Sequence, residues 1–313
     1  MLWLLWMDAA RAHGGAVPIR GVYDWSQLPD AEPGAWIVWE FYPSIVLGCL
    51  FMAALYEALA GPLRRRWALS EHGPSVMQRV CFYLGLGTVF WALQGPLHEL
   101  SEVYLFAGHM VQHLAITLVF PPLWLVGTPG WMWRPLLQID WVRAVGRFLT
   151  NPFVAALLAS GTLYLWHIPV MYEWALADHD VHIAEHLSFM ITATIMWWPS
   201  LSRSELLPPL TPGKRMVYLF LLTIPMKGLG AVITVADDVL YPFYASQPRV
   251  FGLDPLTDQR LGGLIMWLPG GLVFWVSIAY IFFRHYYVDF VANRQGPKRA
   301  NRSSVSQPSR ELA

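Results

Sequence analysis

Two histidines four residues apart, His109 and His113, open a run from Leu105 to Val126 that contains no Lys, Arg, Asp or Glu. On a helix, positions i and i+4 stand one turn apart on a single face, so the two imidazoles are placed to act together. A second pair with the same spacing, His182 and His186, brackets Glu185. Imidazole suits copper and zinc, and thioether sulfur adds selectivity for Cu(I). His167 and His98 add imidazoles, and Met110 and Met266 add sulfur, near the same apolar segments. The two cysteines, Cys49 and Cys81, fall in apolar runs without CxxC spacing, which indicates neither a disulfide framework nor a thiolate site. A metal bound here would be held by His, with Met and Glu as accessories.

The elements that must position these groups are membrane helices. The chain of 313 residues is 56% hydrophobic and 13% charged, against about 25% charged in soluble domains. Its formal net charge is zero, which offers no basic footprint for nucleic acid. Seven apolar segments, near 37–60, 78–97, 105–126, 153–173, 181–199, 216–236 and 261–283, each approach the ~20 residues of a membrane span. The fold class expected is therefore an all-α integral membrane protein, a bundle of seven transmembrane helices over residues 36–288. Residues 1–35 read as an N-terminal extracytoplasmic segment, with a signal-cleavage-like Ala-Arg-Ala at 10–12. Residues 289–313 read as a basic, disordered cytoplasmic tail.

Sixteen of the 21 Lys and Arg residues fall on one side of that arrangement: Arg64–Arg66 and Arg79, then Arg134, Arg143 and Arg147, then Arg203, Lys214 and Arg215, and the C-terminal set from Arg284. The positive-inside rule then places the N-terminus outside and the C-terminus in the cytoplasm. At ~1.5 Å per residue, His109, His113, His167, His182 and His186 all fall in the outer leaflet, with His98 at its surface. A single buried histidine is most simply a hydrogen-bonded structural group. Two i,i+4 pairs on separate helices at matching depth point instead to a shared ligand. Glu185 reads as an orienting partner for a ligating histidine. Lys227, a basic residue inside a span, reads as a partner for Asp237 or Asp238, or as a side chain that snorkels outward. Pro121-Pro122 reads as a helix stop, and Gly262, Gly263, Gly270 and Gly271 as close helix packing.

Three blocks carry a resemblance to a known family. They are His109-Met110-Val111-Gln112-His113 with Pro121-Pro122-Leu123; Trp166-His167-Ile168-Pro169 with His182 and Glu185-His186-Leu187-Ser188-Phe189; and Asp258-Gln259 with Gly263-Leu264-Ile265-Met266-Trp267-Leu268-Pro269-Gly270-Gly271. In these the chain resembles the multi-span CtaG family of bacterial cytochrome c oxidase assembly factors, over about residues 40–285. The resemblance implies a non-enzymatic factor of the bacterial inner membrane that supplies copper to oxidase subunits. The leading expectation is Cu(I) held by His109, His113, His167, His182 and His186, with Glu185, Met110, His98 and Met266 as accessory groups. The partners implied are oxidase subunits and membrane lipid; a homo-oligomer is compatible with the sequence. Two further readings stay open: a zinc-dependent membrane hydrolase with Glu185, Asp237 or Asp238 as base, and a haem-binding bundle with axial histidines.

Overall fold

The computed structural model describes residues 30–291 apart from 38, 40 and 289. The cleavage-like motif at 10–12 and nearly all of the basic tail lie outside the described residues. Among those described, every long element is helical and no strand forms. α1 runs Pro43–Ala60, α2 Val76–Gln94 and α3 Phe106–Gly127. α4 (Asp140–Leu149) meets α5 (Pro152–His167) at a 69° bend. α6 (Pro169–Ala177), α7 (His179–Leu201), α8 (Pro212–Val235) and α9 (Pro255–Tyr287) complete the order.

α1 with its short continuation to Arg66, α2, α3, α8 and α9 are long and apolar enough to cross a membrane, and the bent α4–α5 pair makes up to six. α7 has 23 residues, about 35 Å at 1.5 Å per residue, but it is absent from that set. Its N-terminal turns carry His179, Asp180, His182, Glu185 and His186, which lower its hydropathy. The segment expected at 153–173 is broken: α5 ends at His167, and Pro169, which lacks an N–H, opens α6. α4 falls between the seven expected spans. It is amphipathic, with exposed Trp141, Val145 and Phe148 at helical spacing and Asp140, Arg143 and Arg147 on another face.

Pro121 and Pro122 do not stop α3. A π turn over Ala115–Val119 precedes them, and the helix resumes at Phe120 and runs to Gly127. Neither proline can donate to an i−4 carbonyl, and the wider turn accommodates the two missing donors. The same device recurs in α9, where a π turn over Met266–Gly270 contains Pro269.

α3 packs against α2, α7 and α9. The α9 glycines allow the close approach: a Cβ on Gly262 would stand 2.3 Å from Cδ1 of Phe106, and one on Gly263 would stand 2.8 Å from the backbone N of Thr234. α9 therefore lies against the first turn of α3 and against α8 at once. Asp258 fixes the register of the first contact. Its carboxylate accepts from the backbone N–H of Phe106 at 2.8 Å and of Ala107 at 3.0 Å. That satisfies two of the unpaired donors at the α3 N-terminus, one turn before His109.

Candidate metal centre

His109, Gln112 and His113 lie on the buried face of α3, and His182, Glu185 and His186 on the buried face of α7. The second triplet has i, i+3, i+4 spacing, so one helix face presents all three groups. His109 and Glu185 are both completely buried.

The hydrogen bonds assign the imidazole tautomers. The Tyr244 hydroxyl lies 2.6 Å from the Ser101 carbonyl, to which it donates its single proton. Burial pushes this phenol well above its ordinary pKa, so the proton stays on it. The same oxygen lies 3.0 Å from Nδ1 of His109 and must accept there. His109 is therefore protonated at Nδ1 and bare at Nε2. Nε2 of His113 is 2.7 Å from that bare nitrogen and donates to it, which leaves Nδ1 of His113 bare. His182 donates from Nδ1 to Oε1 of Glu102 at 2.9 Å, leaving its Nε2 bare. This carboxylate–histidine pair is the arrangement that fixes the tautomer of metal-ligating imidazoles. Burial acts to raise the Glu102 carboxyl, but its contacts with His182 and His98, hydrogen bonds among them, outweigh burial and hold the group well below its usual range.

Nε2 of His182, Nε2 of His186 and both Glu185 oxygens are buried with no hydrogen-bond partner among the described residues. Glu185 Oε1 lies 3.7 Å from Nε2 of His113 and 3.9 Å from Nε2 of His109, and Oε2 lies 3.9 Å from Nε2 of His182. These distances exceed a hydrogen bond. They fit a shared ion, because two ligand bonds of ~2.0–2.1 Å span up to about 4.2 Å. Two overlapping groups have ligand atoms mutually within 4.8 Å: His109, His182 and His186; and His109, His113 and Glu185. A buried carboxylate with no donor is expensive. A cation among these atoms would supply what the protein's own groups do not.

The structure thus brings four of the five expected histidines around Glu185 and sets His167 apart. The His167 ring is 6.3 Å from that of His113, and it donates from Nδ1 to the Leu163 carbonyl at 2.7 Å. His98 uses both ring nitrogens on protein groups, Nε2 on Glu102 at 2.9 Å and Nδ1 on the Gln112 amide at 2.8 Å. Met110 and Met266 are buried beside Phe106, Tyr172 and Tyr244. Glu185 faces the centre, and the carboxylate that orients a histidine is Glu102. Lys227 holds its ammonium over the Trp275 ring at 5.6 Å, with no ion pair to Asp237 or Asp238 among the described residues.

Sequence pattern alone does not reveal Glu102, Gln112 and Tyr244 as parts of this network. Gln112 lies inside the His109–His113 block, and Glu102 reads as an outer-loop acid. Tyr244 gives no signal. It stands on a short helix, Pro242–Ala245, held in place when Phe243 donates its N–H to Glu173 at 2.9 Å and Arg249 donates to the Tyr244 and Gln247 carbonyls. Glu102, His182 and His186 also line an apolar cleft of about 850 Å³ walled by α1, α2, α4 and α7.

Among curated proteins, the chain is similar to an uncharacterized protein of Mycobacterium bovis and to one of Mycobacterium tuberculosis. Each is 21% identical over 253 residues, covering 74% of this chain and 36% of the relative. An uncharacterized protein of Mycobacterium leprae is 22% identical over 188 residues, covering 52% of this chain and 27% of the relative. The chain therefore spans about a third of the length of the curated relatives it matches. No solved structure matches it. The sequence profile of the cytochrome c oxidase caa3 assembly factor family (Caa3_CtaG) matches residues 54–287, most of the helical bundle and both histidine pairs, and the chain belongs to that family.

Proposed function

We propose that this protein is a metal-handling assembly factor for cytochrome c oxidase, which holds copper at the His109, His182, His186 and Glu185 centre and passes it to an oxidase subunit. The observation that carries the reading is Glu185, whose two buried oxygens lack donors while imidazole nitrogens stand 3.7–3.9 Å away. Family membership supports the assembly role, and the donor set supports the metal. Neutral imidazoles with one carboxylate suit copper or zinc. An ion on Nε2 of His109 would displace the hydrogen bond from His113, whose N–H would then turn toward Glu185 Oε1. The centre would serve binding and release rather than turnover.

In this reading the chain crosses the bacterial inner membrane seven times, with α7 as a span despite its polar turns and α4 at the cytoplasmic interface. The N-terminus lies outside, and the centre sits in the outer leaflet. Two observations support that orientation: the basic residues cluster on one side, and α4 presents Arg143 and Arg147 beside exposed Trp141 and Phe148. A reporter fused after Val288 that functions only in the cytoplasm tests it.

The deciding experiment measures metal in the purified chain after Cu(I) is supplied under reducing conditions, beside a His109→Ala, His182→Ala double variant and an absorption spectrum. The proposal expects copper in the wild type and the loss of this centre's equivalent in the variant. An undiminished copper content in the variant refutes it. A second reading, a zinc-dependent hydrolase of apolar substrates, draws support from the carboxylate at the centre and from the apolar cleft that reaches His182 and His186. Zinc in place of copper, with ester or amide hydrolysis abolished by Glu185→Gln, would favour it.

A further inference from the structure

His113 has two faces. Its Nε2 belongs to the centre above, while its Nδ1 is bare, buried and without a hydrogen-bond partner among the described residues. The Nε2 of His167 is in the same condition, because its Nδ1 donates to the Leu163 carbonyl. Both histidines line a second, smaller cavity of about 60 Å³. That is room for an ion or a few waters. Four thioethers line it as well, those of Met110, Met196, Met226 and Met266. The 12 methionines of the chain thus place a third of their number around one small cavity. The cavity also reaches Ala193 of α7, seven residues beyond His186, or about 10 Å further along the helix.

We propose that this cavity is a second metal site, specific for a soft monovalent cation, Cu(I), ligated by Nδ1 of His113, Nε2 of His167 and thioether sulfur from the lining methionines. Every donor in the set is neutral. The cost of burying an ion rises as the square of its charge, so neutral donors in an apolar core favour a monovalent ion over a divalent one. Thioether selects Cu(I) among the biological metals, and alkali cations prefer oxygen. The inference rests on the metal-handling reading in sharing His113 with the first centre. It goes beyond that reading in giving the chain two sites of different character joined by one imidazole. The shared His113 ring would then couple occupancy of one site to the other, a short relay along the bundle.

The test uses the full chain in detergent, stripped of metal and given Cu(I) under reducing conditions, with Ag(I) as a redox-inert probe. Copper-edge X-ray absorption reads the sulfur neighbours. The proposal expects about two equivalents of Cu(I) and a sulfur shell in the wild type. His167→Gln, which keeps a polar group near the Leu163 carbonyl, should lose one equivalent together with the sulfur shell. A His182→Ala, Glu185→Gln variant should lose the other equivalent and keep the sulfur. Single Met→Leu changes at the four lining positions conserve volume and fold, and at least one of them should weaken the sulfur-bearing site. No sulfur shell in the wild type overturns the proposal, as does a sulfur shell untouched by His167→Gln and all four Met→Leu variants. One equivalent without sulfur would sink this site and leave the first centre standing. One equivalent with sulfur, indifferent to His182→Ala and Glu185→Gln, would do the reverse.

Discussion

Glu102 touches no candidate metal position, yet its carboxylate should control the affinity of the centre through His182. One oxygen, Oε1, accepts from both His182 Nδ1 and His98 Nε2 at 2.9 Å. Glu102→Gln keeps the shape and an acceptor oxygen but removes the charge. A charge-assisted hydrogen bond contributes about 1.5–3 kcal/mol and a neutral one about 0.5–1.5. The loss is therefore about 1 kcal/mol for each of the two bonds. The His182 share acts on the ligand directly, since a less polarised imidazole is a weaker base and is held less firmly. Partners of ligating histidines typically control metal affinity by about 10–100-fold, or roughly 1.4–2.7 kcal/mol. The assay is competition for Cu(I), and separately for Zn(II), against a chelator of known affinity at fixed pH. Four proteins complete the cycle: wild type, Glu102→Gln, His182→Ala and the double variant. If Glu102 acts through His182, its substitution should cost little once His182 is gone. Equal losses in both backgrounds would refute the reasoning, because Glu102 would then be acting on the fold rather than on the ligand.

Other single contacts carry expectations of their own. Tyr244→Phe removes the acceptor that holds His109 as the Nδ1-protonated tautomer; metal affinity should fall by about tenfold, and NMR of the imidazole nitrogens should show both tautomers. Asp258→Asn weakens the cap on two α3 backbone donors; thermal unfolding should register a loss of about 1–2 kcal/mol, with metal affinity lowered as the first turn frays. Gly262→Ala puts a methyl 2.3 Å from Cδ1 of Phe106; the ring or the helix must move, and size-exclusion yield and metal content should fall together, whereas Gly87→Ala, with open space around it, should be neutral. Metal retention should decline on acidification, because ligating imidazoles must be deprotonated and protons compete for the same nitrogens; retention that shows no response to pH would argue against histidine ligation.

Composition and helical period are legible in the order of residues, and so are the features they dictate. Long apolar runs make membrane-length helices, and the i,i+4 spacing puts His109 with His113, and His182 with His186, on one face each. The glycines of α9 announce close packing, and Gly262 against Phe106 shows what they pack against. Local chemistry misleads where a compensating turn is available: Pro121 and Pro122 read as a stop, and the π turn before them lets α3 continue. The span count is harder to read, because the polar groups that form the centre lower the hydropathy of α7 itself.

Which histidines act, and through which atom, depends on how the bundle closes. Periodicity gives the face a side chain takes, but the atom left bare depends on what approaches the other ring nitrogen. For His109 that is Tyr244, 135 residues away. For His182 it is Glu102, from the turn before α3. For His98 both nitrogens are taken, one by Glu102 and the other by Gln112. The separation of His167 from the cluster has the same origin. The break at Ile168 and Pro169 ends α5 at that residue, and the Leu163 carbonyl turns its ring toward the methionine-lined cavity rather than toward Glu185. Sequence order carries helix period because hydrogen bonds within a helix are local. It does not carry tautomers, since the groups that set them meet only in the tertiary structure.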